Sequence, residues 1–153
     1  MPETEGSNAK KPDFIYQTII RCSQDALWDA LTKADQIGAY HFVGDAAEGD
    51  AEIGKKTNIL RADGSVMLTQ TTLKLDPKSR IELTFEPHFM EGDNAPSSMV
   101  YLIRPEGDAC MLTCEHYDIP AGQEGVKDGW ARQIGSLKSW LETGVPIKMD
   151  LGG

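Results

Sequence analysis

The residues able to do chemistry at short spacing are Cys110, Cys114 and His116, with Tyr101 a few positions before them. Two thiols and an imidazole are zinc-ligand chemistry. If the segment is a strand, however, four residues at ~3.3 Å each separate the thiols by ~13 Å. That is too far to share one tetrahedral ion with bonds of ~2.3 Å, and too far for a disulfide. No metal and no cofactor is expected, and the cysteines read as core thiols. His116 falls on one strand face with Cys110, Leu112 and Cys114. There an imidazole can serve as an acid or base near neutrality, although its commoner role on an apolar face is that of a core residue with satisfied hydrogen bonds. Tyr101 shares a face with Met99 and Ile103; a buried tyrosine hydroxyl needs a partner, which His116 or a ligand could supply. His116 and Tyr101 are the acid/base candidates. The sequence shows no Ser/His/Asp arrangement, no GxSxG and no phosphate-binding glycine loop, so a binding role is expected ahead of an enzymatic one.

Positioning these groups falls to a long amphipathic helix, Val126 to Gly144. At ~100° per residue, Trp140, Val126, Leu137, Trp130, Leu141 and Ile134 fall within one arc of roughly 120°, interrupted by Gln133. Lys127, Asp128, Arg132, Lys138, Ser139 and Glu142 form the wet side. Gly144 and Pro146 stop the helix. Gln133, the polar break in the stripe, either projects into a cavity and orients a ligand or sits at the sheet edge. Trp130 and Trp140 read most simply as core anchors.

In chain order, residues 1–12 are polar, without periodicity, and are expected to be a disordered tail. Asp13 to Cys22 reads as a first strand. Ser23 caps a short helix through about Thr32, and a second helical turn runs from about Ala34 to Tyr40. The stretch HFVGDAAEGD is expected as loop. From Ile53 the period becomes two: Ile53 to Leu60, a hairpin turn at Ala62 to Ser65, Val66 to Leu75, a turn at Asp76 to Ser79 with Pro77 at its second position, and a strand in which Ile81, Leu83 and Phe85 alternate with Glu82 and Thr84. Glu86 to Pro96 is a loop with Phe89 and Met90 exposed. Ser98 to Arg104 and Cys110 to Tyr117 are the last strands, and residues 146–153 form a C-terminal tail. The long helix must bury its tryptophans against this sheet, so the fold class is α+β: a first strand, two short helices, and a run of antiparallel strands wrapped as a meander around the long C-terminal helix.

Net charge is −9 and the pI near 4.7, which opposes binding to phosphate backbones or anionic lipid. No apolar run approaches the ~20 residues that span a bilayer, and MPETEGSNAKKPD lacks the apolar core of a signal peptide. Nucleic acid and membrane are therefore not expected partners, and the location expected is cytoplasmic.

Four stretches, IRCSQDALWDALT, DGSVMLTQTTLKLDPKSRIELTF, RPEGDACMLTCEHYDIP and GWARQIGSLKSWLETG, resemble successive landmarks of the helix-grip superfamily (SRPBCC) of START lipid-transfer domains, birch-pollen-allergen-like proteins and polyketide cyclases. The chain is most similar to the bacterial branch related to the C-terminal domain of the activator of heat-shock protein 90 ATPase. The resemblance runs from about Asp13 to Val145 and implies one ligand-binding domain, residues 13–145, in which a curved antiparallel sheet grips the long C-terminal helix, with an apolar cavity between sheet and helix. It implies that Met99, Tyr101 and Ile103 point inward, with Leu112 and His116 toward the cavity. The ligand-binding candidates are then Phe85, Met99, Tyr101, Ile103, Leu112, Cys114 and His116 from the sheet, and Trp130, Gln133, Ile134 and Leu137 from the helix. Tyr40, Phe42 and His88, together with His41 and Phe89, belong to two loops placed near a cavity mouth. The function expected is a module holding a small hydrophobic or amphipathic ligand. Its alternatives are a cyclase- or hydrolase-like enzyme using the same cavity, and a protein that stimulates a chaperone ATPase, which would make a chaperone a partner.

Overall fold

A computed structural model describes residues 11–88 and 96–149. Ser23 opens helix α1 (Gln24–Thr32) after strand β1 (Phe14–Ile20) by accepting the Ala26 N–H at 3.0 Å through its Oγ. Asp25 lies in the same first turn, where a carboxylate meets the positive end of the helix dipole. Helix α2 (Ala34–Tyr40) follows directly. The chain then forms six further strands, β2 (Ala46–Glu48), β3 (Lys56–Leu60), β4 (Val66–Asp76), β5 (Arg80–Pro87), β6 (Ser97–Glu106) and β7 (Ala109–Tyr117), before helix α3 (Val126–Thr143).

The seven strands form one antiparallel sheet in the order β1-β7-β6-β5-β4-β3-β2. Each neighbouring pair from β3 to β7 is a hairpin, and β1 closes against β7 with Phe14 opposite His116 and Ile20 opposite Cys110. The α+β order expected from the periodicity, and the helix-grip architecture that the resemblance implies, are the ones observed. Gly144 ends α3 in the left-handed conformation at φ 81°, its N–H returning to Trp140 O, as a glycine after a helix allows. Leu137 and Ile134 on α3 are fully buried with Ile20, Leu27, Ile59, Ile81, Met99 and Leu112, so the helix stripe and the inner sheet face make one core.

Two local expectations change. The stretch expected as loop contains β2, an Ala-Ala-Glu strand without β-branched residues. It exists because it pairs with β3, Ala46 opposite Leu60, and because Gly38 of α2 lets the two backbones meet: a Cβ there would stand 2.8 Å from Ala47 N. The strand expected from Ile53 starts only at Lys56. Gly54 turns the chain at φ 82°, and Ile53 makes an isolated parallel bridge to Thr72 with 63% of its surface exposed. The proposed N-terminal tail lies almost entirely, and Phe89 and Met90 entirely, outside the described residues. Residues 145–149 are tied back to the domain. Ile147 N–H donates to Ser136 Oγ at 2.9 Å, Met149 N–H to Phe42 O at 2.7 Å, and Lys148 Nζ to the carbonyls of Gly44 at 2.9 Å and Gly38 at 3.1 Å.

Candidate binding cavity

Between the open half of the sheet and the first half of α3 lies a cavity of about 520 Å³. The sheet supplies Met67, Leu68 and Gln70 from β4, Phe85 from β5 and Tyr101 from β6; the helix supplies Val126, Gly129, Trp130 and Gln133. The loop after α2 adds His41, Phe42 and Val43, and the post-helical segment adds Met149. Arg61, Gly125 and the pair Asp128–Arg132, joined at 3.0 Å, complete the lining. Consecutive residues of a strand normally face opposite ways, yet Met67 and Leu68 both reach the cavity. Ile59 pairs with Leu68 and Leu60 with Val66, so Met67 is an extra residue in β4, a bulge that turns the strand.

Five of the ligand-binding candidates are brought together on this wall: Phe42, Phe85, Tyr101, Trp130 and Gln133. The Tyr101 ring stands edge-on to Trp130, centroids 6.0 Å apart, with Phe85 6.2 Å from the same indole. Gln133 Oε1 accepts the Phe42 N–H at 3.1 Å, so the polar break in the helix stripe anchors the loop on the opposite lip. Met99, Ile103, Leu112, Cys114, Ile134 and Leu137 pack in the core beyond the cavity lining. Tyr40 is buried behind the wall, its hydroxyl donating to Ala30 O at 2.8 Å, and lines only a chamber of about 20 Å³ beside the cavity. His88 lies beyond the β5 edge, its Nε2 2.9 Å from Thr69 Oγ1.

His116 is wholly buried, and both ring nitrogens are engaged. Trp130 Nε1–H donates to Nδ1 at 2.9 Å, and Nε2 stands 2.7 Å from Ser97 Oγ. An acceptor Nδ1 puts the proton on Nε2, and burial pushes the imidazole pKa from 6.5 down to about 4 against the opposing pull of Asp13. The ring is a neutral strut between β6, β7 and α3. Of the two acid/base candidates, Tyr101 alone lines the cavity; burial holds its phenol well above the ordinary value, so it is a neutral hydroxyl.

Sequence reasoning placed His41 in a mouth loop without making it a site residue. Its Nδ1 accepts the Gly44 N–H at 2.9 Å and the Val43 N–H at 3.3 Å. Burial, and secondarily the Lys148 charge, lower its pKa to about 3. The pattern H-x-x-G, with a ring nitrogen reaching forward to the backbone, was the available signal. Met67, Gln70 and Met149 carried none, since a bulge and a chain return bring them in. Among the described residues, no three His, Cys, Asp or Glu side chains could hold a metal ion together, and no helix is long and apolar enough to cross a membrane.

Residues 21–142 match the family model described as Activator of Hsp90 ATPase homolog 1-like protein. Comparison with curated proteins gives no match. Among solved structures, the chain is similar to protein MLL2253 from Mesorhizobium loti at 20% identity and a TM-score of 0.72, over 84% of this chain and 95% of that one. It is also similar to the Aha1 dimer from Colwellia psychrerythraea, at 17% identity and 0.69 over 86% and 96% of the two chains. PFC0360w, an HSP90 activator from Plasmodium falciparum, gives 17% and 0.69 over 87% and 96%. At these identities the structures speak for the fold, whereas the family model spans most of the sequence. The chain belongs to the activator of Hsp90 ATPase homolog 1-like family.

Proposed function

We propose that the chain holds a small, largely apolar molecule in the cavity between its sheet and C-terminal helix. The observation that carries this reading is the cavity itself. At about 520 Å³ it falls within the ~300–1,000 Å³ of small-molecule sites, which are mainly apolar with a few polar groups fixing orientation. An environment-sensitive naphthalene dye titrated into the protein tests it. Saturable binding is expected, with competition by long-chain alcohols; Trp130→Ala and Phe85→Ala should weaken it, and Lys138→Ala on the far side of the helix should not. Absence of saturable binding would refute the reading.

The family membership favours a second reading, kept from the sequence as an alternative: stimulation of an Hsp90-class chaperone ATPase in the cytoplasm. Family descriptions weigh toward it more than toward ligand carriage, and the net charge of −9 supplies an acidic surface for a basic partner. ATPase assays with the chaperone of the same source decide. Stimulation through complementary charge should fade as salt shortens the Debye length from ~10 Å at 0.1 M to ~3 Å at 1 M. Unchanged turnover at low salt would remove this reading.

A further inference from the structure

Four polar side chains, His41, Gln70, Tyr101 and Gln133, line both the main cavity and the small chamber of about 20 Å³ behind it, so they stand at the junction of the two. His41, Tyr101 and Gln133 are each more than nine-tenths buried. Their capacity for hydrogen bonding is only half used. His41 turns Nδ1 back to the Val43 and Gly44 N–H groups. This fixes the tautomer with the proton on Nε2, on the ring edge away from that loop. Gln133 uses Oε1 for the Phe42 N–H, which leaves its NH₂ as donor. Gln70 places its NH₂ 3.3 Å from Met99 Sδ, a weak acceptor, with its carbonyl oxygen unengaged among the described residues. The Tyr101 hydroxyl has no hydrogen-bond partner among the described residues. None of these donors is sealed away as a buried orphan; they face the cavity and the chamber, where three of them meet and an acceptor on a ligand can engage them.

We propose that this junction is a polar subsite that takes an uncharged oxygen acceptor, the carbonyl of a ketone, ester or amide, at the buried end of an otherwise apolar ligand. The inference rests on the ligand-binding reading above and specifies its chemistry. Two donors, one donor/acceptor hydroxyl and one acceptor suit a carbonyl oxygen better than a methyl group. A chamber of about 20 Å³ accepts one water-sized group and excludes an alkyl chain. All four side chains are neutral near pH 7, the imidazole because burial lowers its pKa to about 3 and the phenol because burial raises it. None of the four can offset the lost hydration of a carboxylate, and the ammonium that acts on His41, Lys148, is already held by the Gly38 and Gly44 carbonyls, so the subsite favours the uncharged acceptor.

The test uses 6-propionyl-2-(dimethylamino)naphthalene and its propyl analogue, which lacks the carbonyl oxygen, on the whole protein. Wild type should bind the ketone about three- to tenfold more tightly than the alkyl probe, the equivalent of one net hydrogen bond. The carbonyl stretch of the bound ketone should shift to the hydrogen-bonded frequency. Tyr101→Phe, which removes an oxygen that holds nothing else, should cut this preference at least twofold with alkyl binding unchanged. Gln133→Met should cut it too, the alkyl probe reporting whether the loop has kept the cavity intact. Equal affinities for the two probes, or a preference that neither substitution diminishes, would overturn the subsite and leave an apolar container. Failure of both probes to bind would overturn the container as well.

Discussion

Acidification should destabilise this protein through His116, by an amount the structure sets. The ring is neutral, fully buried, and accepts the Trp130 indole N–H on Nδ1. A second proton would have to sit on that nitrogen, donor facing donor. The folded-state pKa is lowered to about 4 from 6.5, so between these values the unfolded chain binds the proton and the folded chain does not. Stability is then flat above pH ~6.5 and falls as pH drops toward 4. At ~1.4 kcal/mol per unit, the 2.5-unit gap corresponds to about 3 kcal/mol. His116→Leu keeps the bulk and removes the titration. At pH 7 it should cost about 2–4 kcal/mol, because the Trp130 indole N–H and the Ser97 hydroxyl, 2.9 and 2.7 Å from the ring, lose their partner. Urea melts of both proteins from pH 7.5 to 4 measure the difference, and His41, present in both, cancels. The gap between wild type and variant should narrow by about 3 kcal/mol toward pH 4. Parallel profiles, within about 0.5 kcal/mol, would refute the assignment of His116 as a neutral strut.

Other outcomes follow from packing and access. Trp130→Ala and Leu137→Ala, 5% and 0% exposed, should each cost about 2–5 kcal/mol in denaturant melts. Lys138→Ala, whose Nζ pairs with Glu142 and donates to Ile19 O at the surface, should cost under about 1 kcal/mol. Gly38→Ala should lower the unfolding midpoint, since its Cβ would meet Ala47 N at 2.8 Å, a backbone atom that cannot swing aside; an unchanged midpoint would show that β2 does not depend on this approach. In native protein at pH 7 a thiol reagent should react slowly with every cysteine. Cys114 is wholly buried, and Cys22 is pushed up to about 12, by burial first and then by its neighbour Cys110. Rapid release of one equivalent would contradict that, while three equivalents are expected in urea.

The long helix, its buried stripe and its glycine stop were legible because a 3.6-residue period and a left-handed terminus are properties of local sequence. So were α1 with its Ser23 cap and the hairpins of the second half, where strand alternation and turn residues coincide. Part of the cavity wall was legible as well: Phe85, Tyr101 and Trp130 lie on the faces that alternation and the helix stripe pick out, and Gln133 stood out because it broke that stripe. Alternation assigns a face relative to the sheet, not a depth along it. It put Met99 and Ile103 on one face with Tyr101, and the resemblance added Leu112, although these three pack in the core while the cavity is lined from β4, β5 and the Tyr101 position of β6. Tertiary structure alone decided the rest. Met67 reaches the cavity through a bulge defined by its partner strand. Met149 arrives because Ser136, Phe42 and Lys148 tie the chain back after the helix. His116 became a strut rather than a candidate base when Trp130, Ser97 and the ring met from three different elements. These contacts join residues far apart in the chain, and hydrophobic period and local hydrogen bonding carry no information about such distances.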